Sequence, residues 1–327
     1  MQLKGMHHVT AITSSAEKIY EFFTYVLGMR LVKKTVNQDD IQTYHLFFAD
    51  DKGNPGTDMT FFDFKGIQQA KHGNNELQRT TFRVPSDEAL NYWLKRFAKY
   101  NVENSGIKEL FGNKIIYFND FDNQLYALIS DEHDTGVASG TPWLKGPVPN
   151  EFAITGLGPV FINVANYNVM KELLEEVFLM KESKHVDNQY LFEMGEGGKC
   201  GSLVIVEDDS KGYARQGYGG IHHIAFRVAN TDELNSWEER LNSFGAPNSG
   251  YVDRFYFESL YTRLYPNVLF ELATDEPGFI DDQESYEILG ETLALPPKFR
   301  GHEEQISKLV RPIDTVRSTK NFEKEYL

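Results

Sequence analysis

Two stretches decide how this chain is read: residues 5–13, GMHHVTAIT, and residues 220–228, GIHHIAFRV. Each opens with Gly-x-His-His and continues as an apolar, β-rich run, and together they hold four of the nine histidines. Such runs bounded by Gly and by polar turns are strand signals. Side chains on a regular strand alternate between faces. The expectation is therefore that only one His of each pair points inward. Aligning the two stretches makes His8 equivalent to His223 and His7 equivalent to His222.

Working outward, the first stretch is followed by SSAEKIYEFFTYVLG. Ser14 or Ser15 offers a helix cap, Ile19, Phe22, Phe23, Val26 and Leu27 fall at helical spacing, and Gly28 ends the run. Three strand-like segments come next, MRLVKKTVN, TYHLFFAD and DMTFFDF. The order strand, helix, three strands returns from residue 80, from GPVFINV and from HHIAFRV. Residues 123–131, NQLYALISD, pair with 267–275, NVLFELATD, and TTFRV pairs with IAFRV. The fold class expected is α+β: four βαβββ modules paired into two barrel-like, half-open sheets, because one module's curved sheet cannot stay dry alone. The division expected is modules one and two in 1–133, a Gly- and Pro-rich linker in 134–152, modules three and four in 153–275, and a C-terminal extension in 276–327, helical around 302–310.

The internal alignment also singles out the chemistry. Glu271, in an otherwise apolar strand, stands where the second module has Ala127. A buried carboxylate there needs a partner or a metal. The counterpart of His223 in the second module is Arg79, and that of His8 in the third is Pro159. Only modules one and four, brought together, offer two imidazoles and a carboxylate. That set on one face of an ion is the facial triad of non-haem Fe(II) oxygenases, with positions left for substrate and O2. His45, His72, His133, His185 and His302 lack such support and are read as structural, and the lone Cys200 is given no role.

Composition bounds the rest. With 327 residues, 41% hydrophobic and 13% aromatic, the chain can bury a large core. A formal net charge of −15 argues against nucleic acid and anionic membrane surfaces as partners. No apolar run approaches the roughly eighteen residues of a membrane span, and strand sequence begins too early for a signal peptide. One cysteine suits a reducing cytoplasm. A homo-oligomer is compatible with the sequence, which names no interface.

These residues resemble the vicinal oxygen chelate superfamily, which groups glyoxalases, bleomycin resistance proteins and extradiol dioxygenases. Within it they look most like the dioxygenases that open hydroquinone rings. The resemblance rests on GMHHVTAIT, on PWLKGPVPNEFAITGLGPV, on GIHHIAFRV and on DRFYFESLYTRLYPNVLFELATDEPGF. It implies Fe(II), with Mn(II) as an alternative, held by His8, His223 and Glu271, and a small aromatic substrate opened by O2. It also implies catalytic roles near substrate for His7, His222, Arg254 and Tyr261. A cation or phenol there would stabilise negative charge passing to oxygen. The alternative on the same fold is a glyoxalase-type metal-dependent isomerase or thiol transferase, whose sites typically use more than one carboxylate or amide. Two departures from the family pattern stand out. Asn267 replaces the Gly of a Pro-x-Gly turn, which its tolerance of a left-handed backbone should preserve. Thr262 replaces a Phe, which bears on the shape of the pocket.

Overall fold

The computed structural model describes every residue but Asp282. The first module is β1 (Met6–Ile12), α1 (Ala16–Glu21) running into a π-helical turn at Phe22–Val26, β2 (Arg30–Val36), β3 (Tyr44–Ala49) and β4 (Asp58–Phe62). The second is β5 (Glu76–Val84), α2 (Asp87–Lys99), β6 (Asn104–Leu110), β7 (Asn113–Asn119) and β8 (Leu125–Ser130). After a short β9 (Gly156–Leu157), the third runs through β10 (Val160–Val164), α3 (Tyr167–Glu172), a π-helical turn at Leu173–Val177, β11 (Lys181–Val186), β12 (Gln189–Glu193) and β13 (Ser202–Glu207). The fourth is β14 (Gly220–Val228), α4 (Thr231–Ser243), β15 (Asn248–Asp253), β16 (Glu258–Tyr265) and β17 (Val268–Thr274).

Each module starts its helix in the same way. Ser15, Ser86, Asn166 and Asn230 sit in extended backbone, and each accepts a hydrogen bond from the amide three residues on. That satisfies a donor the helix cannot use itself. The turn before β17 survives as expected, with Asn267 at φ 63°.

Modules one and four share one sheet, in the order β15-β16-β17-β14-β1-β4-β3-β2. Modules two and three share the other, β11-β12-β13-β10-β5-β8-β7-β6, with β9 beside β5. In each, two half-sheets meet at an antiparallel seam, β1 against β14 and β5 against β10. The second sheet is filled by side chains: Leu110, Ile115, Ala127, Ile129, Phe161 and Val204 pack together. Arg79, standing where the other sheet has His223, donates to the Tyr126 carbonyl at 2.7 Å and lies 4.7 Å from the Tyr117 ring centroid. Among the described residues no helix is long and apolar enough to cross a membrane.

The described residues of the extension beyond residue 276 include two 3-10 turns, Tyr286–Ile288 and Pro297–Phe299, and a short α5 (Glu303–Ser307), and the segment works as a strap. It runs along β2, the edge of the first sheet, where Ala294 N–H donates to the Lys34 carbonyl at 2.9 Å and Arg317 Nη2 to the Leu31 carbonyl at 2.9 Å. Covering an edge in this way satisfies its free backbone groups. Lys33, fully buried on β2, pairs with Glu284 at 2.9 Å and Asp281 at 3.3 Å. Removing one partner of a buried pair leaves the other charge poorly compensated and costs about 3 kcal/mol. Glu284→Gln should therefore lower the unfolding free energy by about that amount in urea titration, and Lys33→Met/Glu284→Leu should recover much of it.

Candidate metal centre

The seam between β1 and β14 builds the site. His8 stands opposite Ala225 and Thr10 opposite His223, with the Val9–Ile224 rung between, so the two imidazoles lie two rungs apart on the same face of neighbouring strands. The register slips by one residue on either side of this pair. The extra residue on β1 is His7, and the extra residue on β14 is His222. A bulge releases its residue from strict alternation and re-aims the side chain. The expectation that only one histidine of each pair faces inward is thereby corrected at His222, which lines the cavity together with His223, whereas His7 stays outside the lining. His7 Nδ1 lies 3.0 Å from His8 Nδ1, and His222 Nδ1 lies 2.7 Å from His223 Nδ1. The Phe257 ring packs on both His7 and His8.

Glu271 comes from β17, on the far side of Ala225 from His8, where the small Ala side chain leaves room. Ser259 donates to Glu271 Oε1 at 2.5 Å and turns Oε2 toward the imidazoles. Oε2 lies 3.2 Å from His8 Nε2 and 2.9 Å from His223 Nε2, and the two nitrogens are 3.2 Å apart. An ion bound at about 2.1 Å brings its donors to roughly 3.0–3.4 Å of one another, so the three atoms are spaced to share one ion.

The hydrogen-bond chain behind His8 settles which nitrogen faces that ion. The Thr274 carbonyl can only accept, so His7 Nε2, 3.0 Å away, carries a proton. Burial, helped by neighbouring His8, pulls His7 down to about 3, so the ring is neutral and its Nδ1 accepts. His8 Nδ1 must then donate, which directs Nε2 toward Glu271 and His223. Burial likewise lowers His223. Burial alone would raise the Glu271 carboxyl, but His8 and His223 outweigh it and hold the group well below the usual carboxylate range. Glu271 Oε2 is fully buried yet accepts no hydrogen bond, although two nitrogens stand close by. An ionised carboxylate beside two imidazoles suits a divalent cation.

The donors open on a cavity of about 410 Å³. Its walls are largely aromatic, with Phe47, Phe62, Phe64 and Phe257, and its mouth carries Asn37, Gln38, Asp39 and Asp40. Tyr261, Arg254 and His222 all line it, and His7 stands behind His8 outside the lining. Arg254 Nε donates to the Tyr261 hydroxyl at 3.0 Å, and burial keeps that phenol protonated well above its ordinary range. Burial, with His223 adding to it, pulls His222 down to about 3.

The same cavity contains His45, which the sequence reading set aside. Its alternation with Phe47 in TYHLFFAD was the available signal. Thr10 and Thr60 join it: Thr10 Oγ1 lies 3.0 Å from His223 Nε2 and 2.7 Å from Thr60 Oγ1. The pairing registers make Thr60 the module-one counterpart of Glu271, since Thr60 lies beside Thr10 as Glu271 lies beside Ala225. The other histidines lie elsewhere. His72 pairs with Glu76, His185 stacks on Tyr190, and His133 and His302 are exposed.

Paired βαβββ modules define a protein of the vicinal oxygen chelate fold, with two His and one Glu gathered at the seam in a group able to hold a metal ion. The chain belongs to the glyoxalase/bleomycin resistance protein/dioxygenase superfamily, whose family model matches residues 5–126 and 156–280. It is 39% identical to MhqA of Bacillus subtilis (strain 168), which carries the provisional name of a ring-cleaving dioxygenase, over 96% of this chain and all of that one. It is 30% identical to the chlorohydroquinone/hydroquinone 1,2-dioxygenase of Sphingobium indicum, over 93% of this chain and 95% of the relative. A solved structure from Bacillus subtilis, provisionally described as a dioxygenase, superposes with a TM-score of 0.87 at 31% identity, covering 96% of this chain and 99% of that one. Glyoxalase I from Zea mays shares the fold at a TM-score of 0.61 and 12% identity, over 83% and 92% of the two chains.

The neutral histidines have a consequence for stability. In the fold His7 and His222 take up a proton only near pH 3, whereas the unfolded chain does so near 6.5. Between those values the unfolded state binds more protons, so each imidazole removes up to about 1.4 kcal/mol per pH unit as the pH falls. Urea titration of chelator-stripped protein should show stability declining from pH 6.5 toward 3, with a shallower decline for His7→Asn.

Proposed function

We propose that the protein is an Fe(II)-dependent ring-cleaving dioxygenase of the extradiol type, with Mn(II) as the alternative ion. His8, His223 and Glu271 hold the ion, and the substrate is hydroquinone or a related dihydroxybenzene. Both atoms of O2 enter the opened ring, so the reaction consumes no external reductant. What carries the assignment is the donor set itself: two imidazoles and a single carboxylate on one face, opening on an aromatic cavity. Thr60 occupies the place where a second carboxylate would make the site resemble that of an isomerase or thiol transferase. The Sphingobium relative's name points to the para-diphenol class, and removal of quinone-forming aromatics in the cytoplasm is the role that fits.

When bound, the ion acidifies a phenolic hydroxyl and passes electron density between substrate and O2. The chain's own groups do the rest. His7 fixes the His8 tautomer through Thr274. His222, joined to His223 through Nδ1, presents Nε2 to the cavity and can take or return a proton there. Tyr261 keeps its proton and, with Arg254 on its oxygen, offers a donor where negative charge develops on oxygen. The aromatic walls seat the ring and exclude water.

Oxygen uptake by anaerobically Fe(II)-loaded protein, with methylhydroquinone and catechol supplied separately, tests the proposal. The expected result is one O2 per substrate and a new near-ultraviolet-absorbing ring-opened product. Glu271→Ala should lose both iron and uptake. Tyr261→Phe should keep its iron and lose roughly 10²-fold in kcat, the usual contribution of a positioned proton donor. Absence of uptake despite stoichiometric iron would move the assignment to the isomerase or transferase branch.

A further inference from the structure

Neither the donor set nor the roles above use His45, although it lies in the same cavity. Its ring is wedged between Phe47, at 4.0 Å between centroids, and Phe62, at 4.4 Å. Its Nε2 is bonded to Thr60 Oγ1 at 3.0 Å. From there a 2.7 Å bond to Thr10 and a 3.0 Å contact lead to His223 Nε2. Two rings and a hydrogen bond thus hold the imidazole in one orientation, a short chain of hydroxyls away from the metal donors. Among the described residues nothing accepts from or donates to its Nδ1, and the half-buried ring faces the cavity. Burial keeps the ring neutral.

The placement is one-sided. Tyr261 and Arg254 come from module four, on the Glu271 side of the seam, and His45 comes from module one, on the Thr60 side. The sheet curls so that both arms line one cavity. Between these polar groups the lining is mainly Phe47, Phe62, Phe64 and Phe257, which fit the faces and edges of an aromatic ring. A neutral imidazole on an apolar wall, with one nitrogen unsatisfied, matches a hydroxyl, which can donate to it or accept from it.

We infer that His45 is a specificity-determining residue that hydrogen-bonds, through Nδ1, the second hydroxyl of a para-diphenol whose first hydroxyl lies at the metal donors. This rests on the reading of the cavity as a diphenol site and selects among its substrates. The hydroxyls of an ortho-diphenol stand side by side, so both would lie at the donors and Nδ1 would meet only ring C–H. Those of a para-diphenol stand at opposite ends of the ring, so one reaches the metal side and the other the His45 wall. A site built to pair a hydroxyl discriminates strongly against a ligand that lacks it, because the buried polar atom is left unpaired.

Calorimetric titration under argon of Fe(II)-loaded protein, with hydroquinone, catechol and phenol as ligands, tests this without turnover. The wild-type protein should bind hydroquinone at least roughly tenfold more tightly than phenol. In His45→Phe, which keeps a ring between Phe47 and Phe62, the preference should shrink to about twofold through loss of hydroquinone affinity alone. His45→Asn should restore part of it. A preference unchanged by His45→Phe, or an equal loss of affinity for hydroquinone and phenol, overturns the inference. So does wild-type protein that binds catechol as tightly as hydroquinone, a comparison that needs no variant to fold. Oxygen uptake by the wild-type protein separates the two readings. Uptake with an insensitive binding preference removes the role of His45 alone. A preference that depends on His45 without uptake removes ring cleavage and leaves the recognition standing.

Discussion

The antiparallel seam between β1 and β14 is the constraint on which the rest of the molecule depends. It places His8 and His223 two rungs apart on one face, and through Ala225 it brings Glu271 alongside. No module could supply this set alone, because modules one and four each contribute one His at the equivalent place and modules two and three contribute none. The seam joins residues more than two hundred positions apart, so the centre forms only after both ends of the chain have met. Loop closure of that length is entropically costly. An ion held by His8, His223 and Glu271 would offset part of it, because these residues are scattered in the unfolded chain and binding free energy becomes folding free energy. Ser259 and Thr274, which orient Glu271 and His7, also belong to module four. The module that completes the donor set therefore also aligns it.

The second sheet shows what the same backbone does without donors. Its seam, β5 against β10, repeats the geometry, but Arg79, Pro159 and Ala127 take the places of His223, His8 and Glu271. Ala127 joins the apolar filling, and Arg79 lies on Tyr117, its guanidinium pulled down to about 10 by burial. An interior filled by Phe161, Ile129 and Val204 gains from removing apolar surface from water. The first sheet gives up part of that gain for a cavity with buried polar groups. The strap along its β2 edge and the buried Lys33–Glu284 pair hold the cavity wall that carries His45 on the neighbouring strand. Duplication thus yielded one half-barrel with a solid interior and one with an open, chemically equipped interior.

Much of this was legible because duplication gives a sequence its own internal control. The repeated strand, helix and strand order exposed the modules, and the contrast of Glu271 with Ala127 exposed the carboxylate. The alternation rule failed at His222, because a bulge is a property of two paired strands. It depends on how many residues face each other, and neither local run carries that count. His45 was missed for a related reason: its module-four counterpart is Ser259 and not a histidine, and its value comes from Thr60 and Thr10 on other strands. The extension lacks repeat partners altogether, so its placement along β2 is set by long-range contacts such as Arg317 to Leu31.

Access to the cavity follows from where the weak and strong bonds lie. The mouth is bridged by Arg254, whose Nη2 pairs with Asp39 at 3.0 Å and whose carbonyl accepts from Gln38 at 2.7 Å. These contacts join the β2–β3 loop of module one to the turn between β15 and β16 of module four. Asp39 is 72% exposed, and an ion pair at that exposure contributes little. Opening the bridge is correspondingly cheap. Deeper in, the Thr10–Thr60–His45 chain, the His7–Thr274 bond and the Ser259–Glu271 bond are buried, where unmade hydrogen bonds cost far more. Entry of a ring can therefore disturb the mouth while the donors and the facing walls keep their positions. Arg254 links the two regions, since its Nε is bonded to Tyr261 while its Nη2 pairs with Asp39. The group that closes the mouth also holds the phenol at the centre.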